Sequence, residues 1–503
     1  MRPLFLATIA VLATPSLLAQ PDPVWSSSIS TNFSWYVDDK PQVKIDGAGD
    51  LVVVGNTNTL SNGRDILVIK YSSEGDLLWQ QTFNGSANND DVARDFAIDD
   101  HDNIVITGAT RIDSLNTDCL TLKYDPSGTW LWANTFDGEP NREDAARAIS
   151  IDPSGASFIT GYAAIDTLGH NKLFAAKIDS VGNTSWTYLY GADTVGFYTG
   201  EKVMVRNEDV HILGSYLSYP QFENKYVVFR LDTNGTASFA HEGALVRPAQ
   251  VFHQDGFGNS YLGFGAWERF KIVKVDVDGL IAWSDTIGTN LPPNHTADQV
   301  RAIVVDPLQN VYITGRHNGD DYSGPTYSNA DIVTVKYTSN GERSWVRRYE
   351  YQGNNAADIG NAIALDDELN VYVAGQSGVS LSDYDYVVLK YDNDGNDLGT
   401  IRYNDPAGGD DVITSIVVAD GSAIYVTGLT YEDPLSSTTT QKYSSLSGTG
   451  VFDPPAPANS LNSFPNPFKW STTVPFVNPN KEAVPLSIAR CHGQADHGPH
   501  NVL

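Results

Sequence analysis

A pattern of roughly 53 residues recurs eight times between Val43 and Tyr443, and it constrains the fold more than any other feature of the chain. Each copy ends a predicted strand in a phrase such as NIVITG, NVYITG or NVYVAG. The glycines that close the phrases are Gly55, Gly108, Gly161, Gly214, Gly265, Gly315, Gly375 and Gly428. A period of this length predicts a radial or stacked repeat fold in place of several independent domains.

Each copy contains four strand signals, which are clearest in the sixth: Val300 to Asp306, Asn310 to Gly315, Asp331 to Tyr337, and a strand around Trp345. Turn residues separate the first strand from the second and the third from the fourth. No helical period competes with this pattern.

A tryptophan recurs in the fourth strand, and we expect its indole to be buried between neighbouring copies. Its positions are Trp25, Trp79, Trp132, Trp186, Trp283 and Trp345. Trp25 precedes the first complete copy, so its strand has no sheet of its own unless it completes the last copy. That closure is typical of a β-propeller, which leaves no open sheet edges. The sequence therefore predicts an all-β, eight-bladed propeller over residues 20–452, with seven blades as the alternative.

Charge and targeting signals narrow the class of protein. With 32 Lys and Arg against 61 Asp and Glu, the net charge of −29 disfavours nucleic acid and anionic membranes as partners. Residues 1–19 have the pattern of a secretory signal peptide, and no later stretch is long and apolar enough to span a bilayer. The two cysteines form no evident disulfide framework. We expect a secreted monomer.

Aromatic and acidic residues in the variable loops are the predicted ligand-binding residues. In the expected topology, the loops after the second and fourth strands share one face of the propeller and vary in length and sequence. Aromatic rings and carboxylates on a rigid scaffold suit a sugar or a peptide. Ordinary solvated loops are the alternative. The candidates are Trp267, Asp320, Asp321, Tyr322, Tyr327, Tyr384 and Tyr431.

Acidic and basic residues also recur near the start of the first strand, which we expect to line the central channel. The predicted polar ring at the channel mouth consists of Asp91 with Arg94, Asp144 with Arg147, and Asp298 with Arg301. Salt bridges within or between blades would explain the same pattern. Asp392, Asp394 and Asn396 surround Gly395 and form a weak calcium candidate. A plain turn stabilised by an aspartate is the alternative there, and no other cofactor is predicted.

No catalytic signature is present. The sequence contains no GxSxG, HExxH, P-loop or GxGxxG motif. Its many carboxylates do not single out a glycosidase pair. An enzyme is thus less expected than a noncatalytic binding or adhesion module.

The phrase from Asp358 to Gly375, and a spaced variant from Asp298 to Gly315, resembles the SBBP β-propeller repeat of bacterial secreted proteins. That resemblance implies a propeller, usually described as seven-bladed, and no single activity. The phrase Asp125, Gly128, Trp132 is similar to the tryptophan-docking motif of eight-bladed quinoprotein dehydrogenases. An extracellular enzyme at the channel mouth, quinoprotein-like or active on glycans, is the alternative function.

After a proline-rich linker at 453–462, residues 463–488 resemble part of the type A C-terminal sorting domain of type IX secretion. The motif is Pro465, Asn466, Pro467 and Phe468. The resemblance implies a Bacteroidetes-like host, contact with the type IX machinery, and release from or attachment to the outer-membrane surface. Residues 489–503 depart from the family pattern and are predicted to be a disordered tail. The predicted partner is a polysaccharide or an envelope protein.

Overall fold

The computed structural model describes residues 22–31, 40–59, 63–139, 141–191, 196–218, 222–245, 249–265, 270–287, 298–317, 330–351, 356–380, 383–405, 409–419, 423–432 and 435–444. These residues form 32 strands. None of them forms a helix of the length and hydropathy that crossing a bilayer requires. The signal segment 1–19, the linker and the sorting segment lie outside the described residues.

The strands form eight antiparallel meanders of four strands, which we number along the chain. Six of them are separate sheets, whereas meanders 3 and 4 are joined into one eight-stranded sheet by a single parallel pair, Asn171 with Phe197. Meander 1 contains β2 (Gln42–Ile45), β3 (Leu51–Thr59), β4 (Gly63–Tyr71) and β5 (Leu77–Phe83). Meander 2 contains β6 (Asp91–Ile98), β7 (Ile104–Arg111), β8 (Thr117–Tyr124) and β9 (Trp130–Phe136). Meander 3 contains β10 (Ala145–Ile151), β11 (Ser157–Ala164), β12 (Asn171–Ile178) and β13 (Thr184–Tyr190). Meander 4 contains β14 (Gly196–Arg206), β15 (Asp209–Ser218), β16 (Glu223–Asp232) and β17 (Ala237–Leu245).

The second half of the chain repeats this order. Meander 5 contains β18 (Val251–Gln254), β19 (Ser260–Phe264), β20 (Phe270–Val275) and β21 (Ile281–Ile287). Meander 6 contains β22 (Gln299–Val305), β23 (Val311–His317), β24 (Asp331–Tyr337) and β25 (Arg343–Tyr349). Meander 7 contains β26 (Asp358–Leu365), β27 (Val371–Ser380), β28 (Asp383–Tyr391) and β29 (Asp397–Tyr403). Meander 8 contains β30 (Asp411–Ala419), β31 (Ala423–Glu432), β32 (Leu435–Tyr443) and β1 (Trp25–Ser30).

The first and last strands of the chain pair with each other. β1 runs antiparallel to β32, with Trp25 opposite Lys442 and Ser30 opposite Ser437. This pairing confirms the prediction that the strand of Trp25 completes the sheet of the last copy. The first strands of neighbouring meanders also contact one another, and β30 of meander 8 contacts β2 of meander 1. The array of meanders therefore closes on itself, which is the arrangement of a β-propeller.

The hydrophobic core lies between the faces of neighbouring meanders. Val52 and Val68 of meander 1, for example, pack in one cluster with Phe96 and Ile106 of meander 2. Second and third strands such as β7 and β8 are buried on both faces, because each meander has a neighbour on either side. The fourth strands alternate between half-buried and exposed residues, as expected for outer edges.

The recurring tryptophans dock each meander onto the next. The Nε1 of Trp79 donates a hydrogen bond to the Pro126 carbonyl at 3.0 Å. Its ring lies against Gly128, where a Cβ would come within 2.7 Å of the indole and where the φ of 83° also favours glycine. The expectation of a fully buried indole is wrong for most copies, since only Trp345, at 8% exposure, is classed as buried. The indoles lie at the outer edges, where solvent reaches one face.

The phrase-closing glycines lie opposite a β-bulge in the first strand. In meander 2 the register shifts between Ala93 and Asp95, so that Arg94 is the additional residue. The bulge brings the Val92 carbonyl to 1.9 Å from the position that a Cβ of Gly108 would occupy. Equivalent bulges occur in meanders 3, 4, 6, 7 and 8. Glycine recurs there because a larger residue would collide with backbone.

Candidate functional site

The bulge residues of the first strands are the candidate functional residues of the channel. A bulge bends its strand and redirects the side chain of the additional residue. The residues at this position are Arg94, Arg147, Glu201, Arg301, Asn361 and Thr414. Three of the six are arginines, in a chain whose net charge is −29.

Several of these side chains link neighbouring meanders. The guanidinium of Arg147 lies 3.5 Å from the Glu201 carboxylate, and Arg301 Nη1 donates to Asn361 Oδ1 at 3.2 Å. The Thr414 hydroxyl donates to the Pro41 carbonyl at 2.6 Å, across the junction between meanders 8 and 1. The predicted salt bridging between blades is thus present at Arg147.

A cavity of about 280 Å³ opens beside these residues in meanders 2 to 5. It is lined by Arg94, Arg147, Glu201, Lys202, Gln250, Val251 and Phe252. Burial raises the pKa of Glu201, although Arg147, the Ser215 hydroxyl at 2.8 Å and Lys202 stabilise its ionised form. Burial, with a contribution from Lys202, lowers the pKa of nearby His253 to about 4, so this imidazole is neutral at pH 7. The cavity thus combines three cations with one carboxylate.

Arg301, on meander 6, is more deeply buried than Arg94 and Arg147. Burial, together with the positive charge of Arg316, lowers its pKa to about 10. Its Nε donates to Gln299 Oε1 at 3.1 Å, while Nη1 contacts Asn361. The lowered pKa of Arg301 follows mainly from the loss of hydration, with a smaller contribution from the charge of Arg316.

The predicted polar ring at the channel mouth joins two residue types, and the structure surrounds its aspartates and its arginines differently. Asp91, Asp144 and Asp298 are buried. Asp91 accepts a hydrogen bond from the Gly85 amide at 2.6 Å, and Asp144 accepts one from the Gly138 amide at 2.5 Å. Asp298 contacts the imidazole of His317 at 2.9 Å. The bulge separates the two residue types, because it directs the arginine to the channel while the aspartate points into the sheet and caps the preceding loop.

Buried aspartates face each other across the junctions between meanders. The start of a third strand brings Asp118, Asp331 and Asp385 close to the first-strand aspartates Asp144, Asp358 and Asp411 of the following meander. Burial is the main cause of their raised pKa values. It places the pKa of Asp144 and Asp358 at about 6, that of Asp331 at about 7 and that of Asp411 at about 8.

Only two of the predicted loop residues lie in the described part of the chain. Trp267, Asp320, Asp321, Tyr322 and Tyr327 are outside it. Tyr384 and Tyr431 lie in strands β28 and β31, so their assignment to loops is wrong. Tyr384 is half-buried and packs against Ala357 and Ile359 at the first strand of its own meander and against Ala330, which precedes β24 of meander 6. The described residues therefore do not bring the aromatic candidates together.

The aspartate turn of meander 7 uses its own polar groups. Asp392 Oδ1 accepts hydrogen bonds from the amides of Asp394 at 2.9 Å and Asn396 at 2.7 Å. The Asn396 side-chain amide donates to Asp392 Oδ2 at 2.7 Å. Across the described ranges, no three His, Cys, Asp or Glu side chains form a metal-binding group. The calcium site stays a prediction, and the turn itself accounts for the local sequence.

The recurring cations of the third strands bind protein groups. Lys70 pairs with Asp46 at 2.7 Å, and Lys123 pairs with Asp99 at 2.9 Å. Lys442 donates to the Ser73 carbonyl of the next meander at 2.8 Å. These contacts stabilise tight turns and junctions.

Five cavity residues were missed by sequence reasoning: Glu201, Lys202, Gln250, Val251 and Phe252. They lie in copies four and five, whose first strands lack the aspartate and arginine of the other copies. The phrase-closing glycine was the usable signal, because it lies opposite the bulge in each regular copy. Counting back from Gly214 to the first strand reaches the bulge at Glu201.

No family model matches the chain. An uncharacterized WD repeat-containing protein of Acanthamoeba polyphaga mimivirus is 19% identical over 468 residues, which cover 75% of this chain and 32% of that protein. The chain thus spans about a third of the length of this relative.

Among solved structures, the WD40 domain of SCAP from fission yeast has a TM-score of 0.42 at 9% identity, covering 84% of this chain and 99% of that one. Drosophila Plexin A in complex with Semaphorin 1b has a TM-score of 0.42 at 8% identity, covering 84% and 87%. Virginiamycin B lyase from Staphylococcus aureus has a TM-score of 0.39 at 13% identity, covering 69% and 96%. The chain is a β-propeller repeat protein, and the comparisons assign it no activity.

Proposed function

We propose that this protein is a noncatalytic binding or adhesion module that recognises a polysaccharide or an envelope protein. One observation carries the proposal: the aspartates at the channel mouth stabilise the structure. Asp91, Asp144 and Asp411 each accept a hydrogen bond from the backbone of the loop that precedes their strand. Such carboxylates order a loop face for binding, whereas general acid and base chemistry needs carboxylates that reach a substrate.

The fold supports a binding surface at one end. Tight turns such as Asp99 to Asn103 are fixed by aspartate side chains that accept backbone hydrogen bonds. The segments that join second and third strands differ in length and sequence between copies, and in the sequence they include Trp267, Tyr322 and Tyr327. Recognition residues commonly occupy variable loops on a rigid scaffold.

We also propose that the eight meanders are eight blades of one ring, and that the protein is exported to the cell exterior or the outer-membrane surface. The pairing of β1 with β32 and the contact of β30 with β2 support the ring. Export rests on the sequence of residues 1–19 and on the sorting-domain resemblance of residues 463–488. Cell fractionation with an antibody against the chain tests export. Recovery of all the protein from the cytoplasm would contradict it.

The binding proposal is tested by thermal shift of the full chain with a panel of polysaccharides and with solubilised envelope proteins. A ligand at about 100 times its dissociation constant stabilises the native state by about 2.7 kcal/mol. We expect a shift with one ligand class, and we expect Trp267→Ala and Tyr322→Ala to remove it. Leu308→Ala is the matched control, because Leu308 is 71% exposed in the tight turn between β22 and β23, on the face opposite the variable loops. Turnover of a glycan, or a shift that only a quinone cofactor produces, would favour an enzyme.

A further inference from the structure

We propose that the channel cavity between meanders 2 and 5 binds a small ligand through an oxyanion, either a carboxylate or a phosphate group. This inference goes beyond the proposed recognition of a macromolecule by the loop face. It would stand if that face bound neither polysaccharide nor protein.

The charge inside the cavity is opposite to that of the whole chain. Arg94, Arg147 and Lys202 line it, and Glu201 is the one acidic lining residue. Glu201 lies 3.5 Å from Arg147 and is hydrogen-bonded to Ser215, so its charge is already engaged. In the described ranges, no carboxylate lies within ion-pair distance of Arg94 or Lys202. Two positive charges are therefore available to a ligand.

Two independent features bring the cations together. Arg94 and Arg147 occupy the same bulge position in adjacent meanders, so both side chains are directed to one side of the channel. Tyr162 borders both cations: Arg147 lies over its ring at 5.8 Å, and the pKa of its phenol is raised mainly by burial, lowered by Arg147 and Arg94 and raised by Glu143. Asp95 follows Arg94 in β6, but its carboxylate is already engaged by Lys44 at 3.8 Å and by the Ile149 amide at 3.3 Å.

The size and chemistry of the cavity define the class of ligand. A cavity of about 280 Å³ lies just below the usual range of about 300–1,000 Å³ for drug-sized ligands, so it suits a sugar acid or a smaller anion. A guanidinium matches carboxylate and phosphate oxygens with two parallel hydrogen bonds. Phe252 offers an apolar wall for the carbon skeleton.

Isothermal titration calorimetry of the full chain at pH 7.5 and low salt tests the proposal with three probes: D-glucuronate, D-glucose and inorganic phosphate. We expect glucuronate, phosphate or both to bind, and glucose, which lacks the charge, to show no heat of binding. Binding of glucuronate alone would identify a carboxylate site, and binding of phosphate alone a phosphate site. Absence of binding by both anions, or equal binding of glucose, would overturn the proposal.

Variants locate the site. Arg94→Gln and Lys202→Gln should each weaken anion binding at least tenfold, while Arg94→Lys should retain part of it. Neither cation is the ion-pair partner of Glu201, which Arg147 at 3.5 Å and the Ser215 hydroxyl still engage after Lys202→Gln, so we expect the melting temperature to stay close to that of the wild type. Arg111→Gln is the matched control, because Arg111 has the same charge on the same meander but does not line the cavity. An equal loss of affinity in Arg111→Gln would indicate a general charge effect and refute the site.

Discussion

Replacing Gly108 with alanine tests the link between the repeated phrase and the bulge. The new Cβ would lie 1.9 Å from the Val92 carbonyl oxygen and 2.9 Å from its carbon. Because real Cβ atoms essentially never approach another heavy atom closer than 3.0 Å, the two strands must separate by more than ~1 Å. Overpacking that side chains can relieve costs about 1–3 kcal/mol. Here the obstacle is hydrogen-bonded backbone, so we expect a loss of at least about 3 kcal/mol.

Urea unfolding followed by tryptophan fluorescence measures this loss. A lower midpoint with an unchanged slope indicates a change in stability alone. Gly256→Ala is the control, because no atom lies within 4 Å of the position that its Cβ would occupy and we expect a change below about 0.5 kcal/mol. Since the bulge also directs Arg94 to the channel, Gly108→Ala should weaken anion binding. A variant within about 1 kcal/mol of the wild type would refute the reasoning.

Three further predictions concern junctions and titration. Trp345→Ala should lower the free energy of unfolding, measured in urea, by about 3–5 kcal/mol. Trp132→Ala should lower it by less, because the indole of Trp132 is only half-buried, whereas that of Trp345 is buried. Equal losses in the two variants would contradict this explanation. Lys123→Met should cost about 3 kcal/mol at pH 7, because it leaves the buried Asp99 carboxylate without its ion pair. Burial raises the pKa of Asp99, but hydrogen bonds from Asn103 and Lys123 hold it below its ordinary 3.8, so the cost should shrink only as the pH falls through this lowered pKa. Folding raises the pKa of Asp411 to about 8 and that of Asp331 to about 7 from an ordinary 3.8, so the folded state binds more protons between pH 4 and 8. The melting temperature should therefore rise as the pH falls from 8 to about 5, and Asp411→Asn should reduce this dependence.

The repeat period and strand pattern predicted much of the fold. The recurrence of Trp25 outside the first copy predicted its pairing with the last, and the structure places it opposite Lys442. Local patterns were sufficient to predict the strands, because the position of a strand in its sheet determines the pattern of buried and exposed residues along it. They failed for Tyr384 and Tyr431, since the length of a hairpin depends on how far its two strands remain paired.

The candidate site was only half predictable. Arg94 and Arg147 were identified from the sequence as members of a polar ring with Asp91 and Asp144, with salt bridges as the alternative. One additional residue in a strand reverses which face the following side chains occupy, and the local mark of that residue is the phrase-closing glycine opposite it. Glu201 and Lys202 were missed because their copy lacks the aspartate and arginine of the other copies, and the register with β15 places the bulge beside them.

The sequence by itself determined the repeat, the all-β class, the joining of the two ends of the chain and the excess of negative charge. These properties follow from residue spacing and composition, which do not depend on distant contacts. Only the tertiary structure decided that the aspartates are buried as loop caps and that Arg94, Arg147 and Lys202 meet in one cavity. The physical reason is that both outcomes depend on the packing of neighbouring meanders around the channel, where residues about 50 positions apart in the chain come into contact.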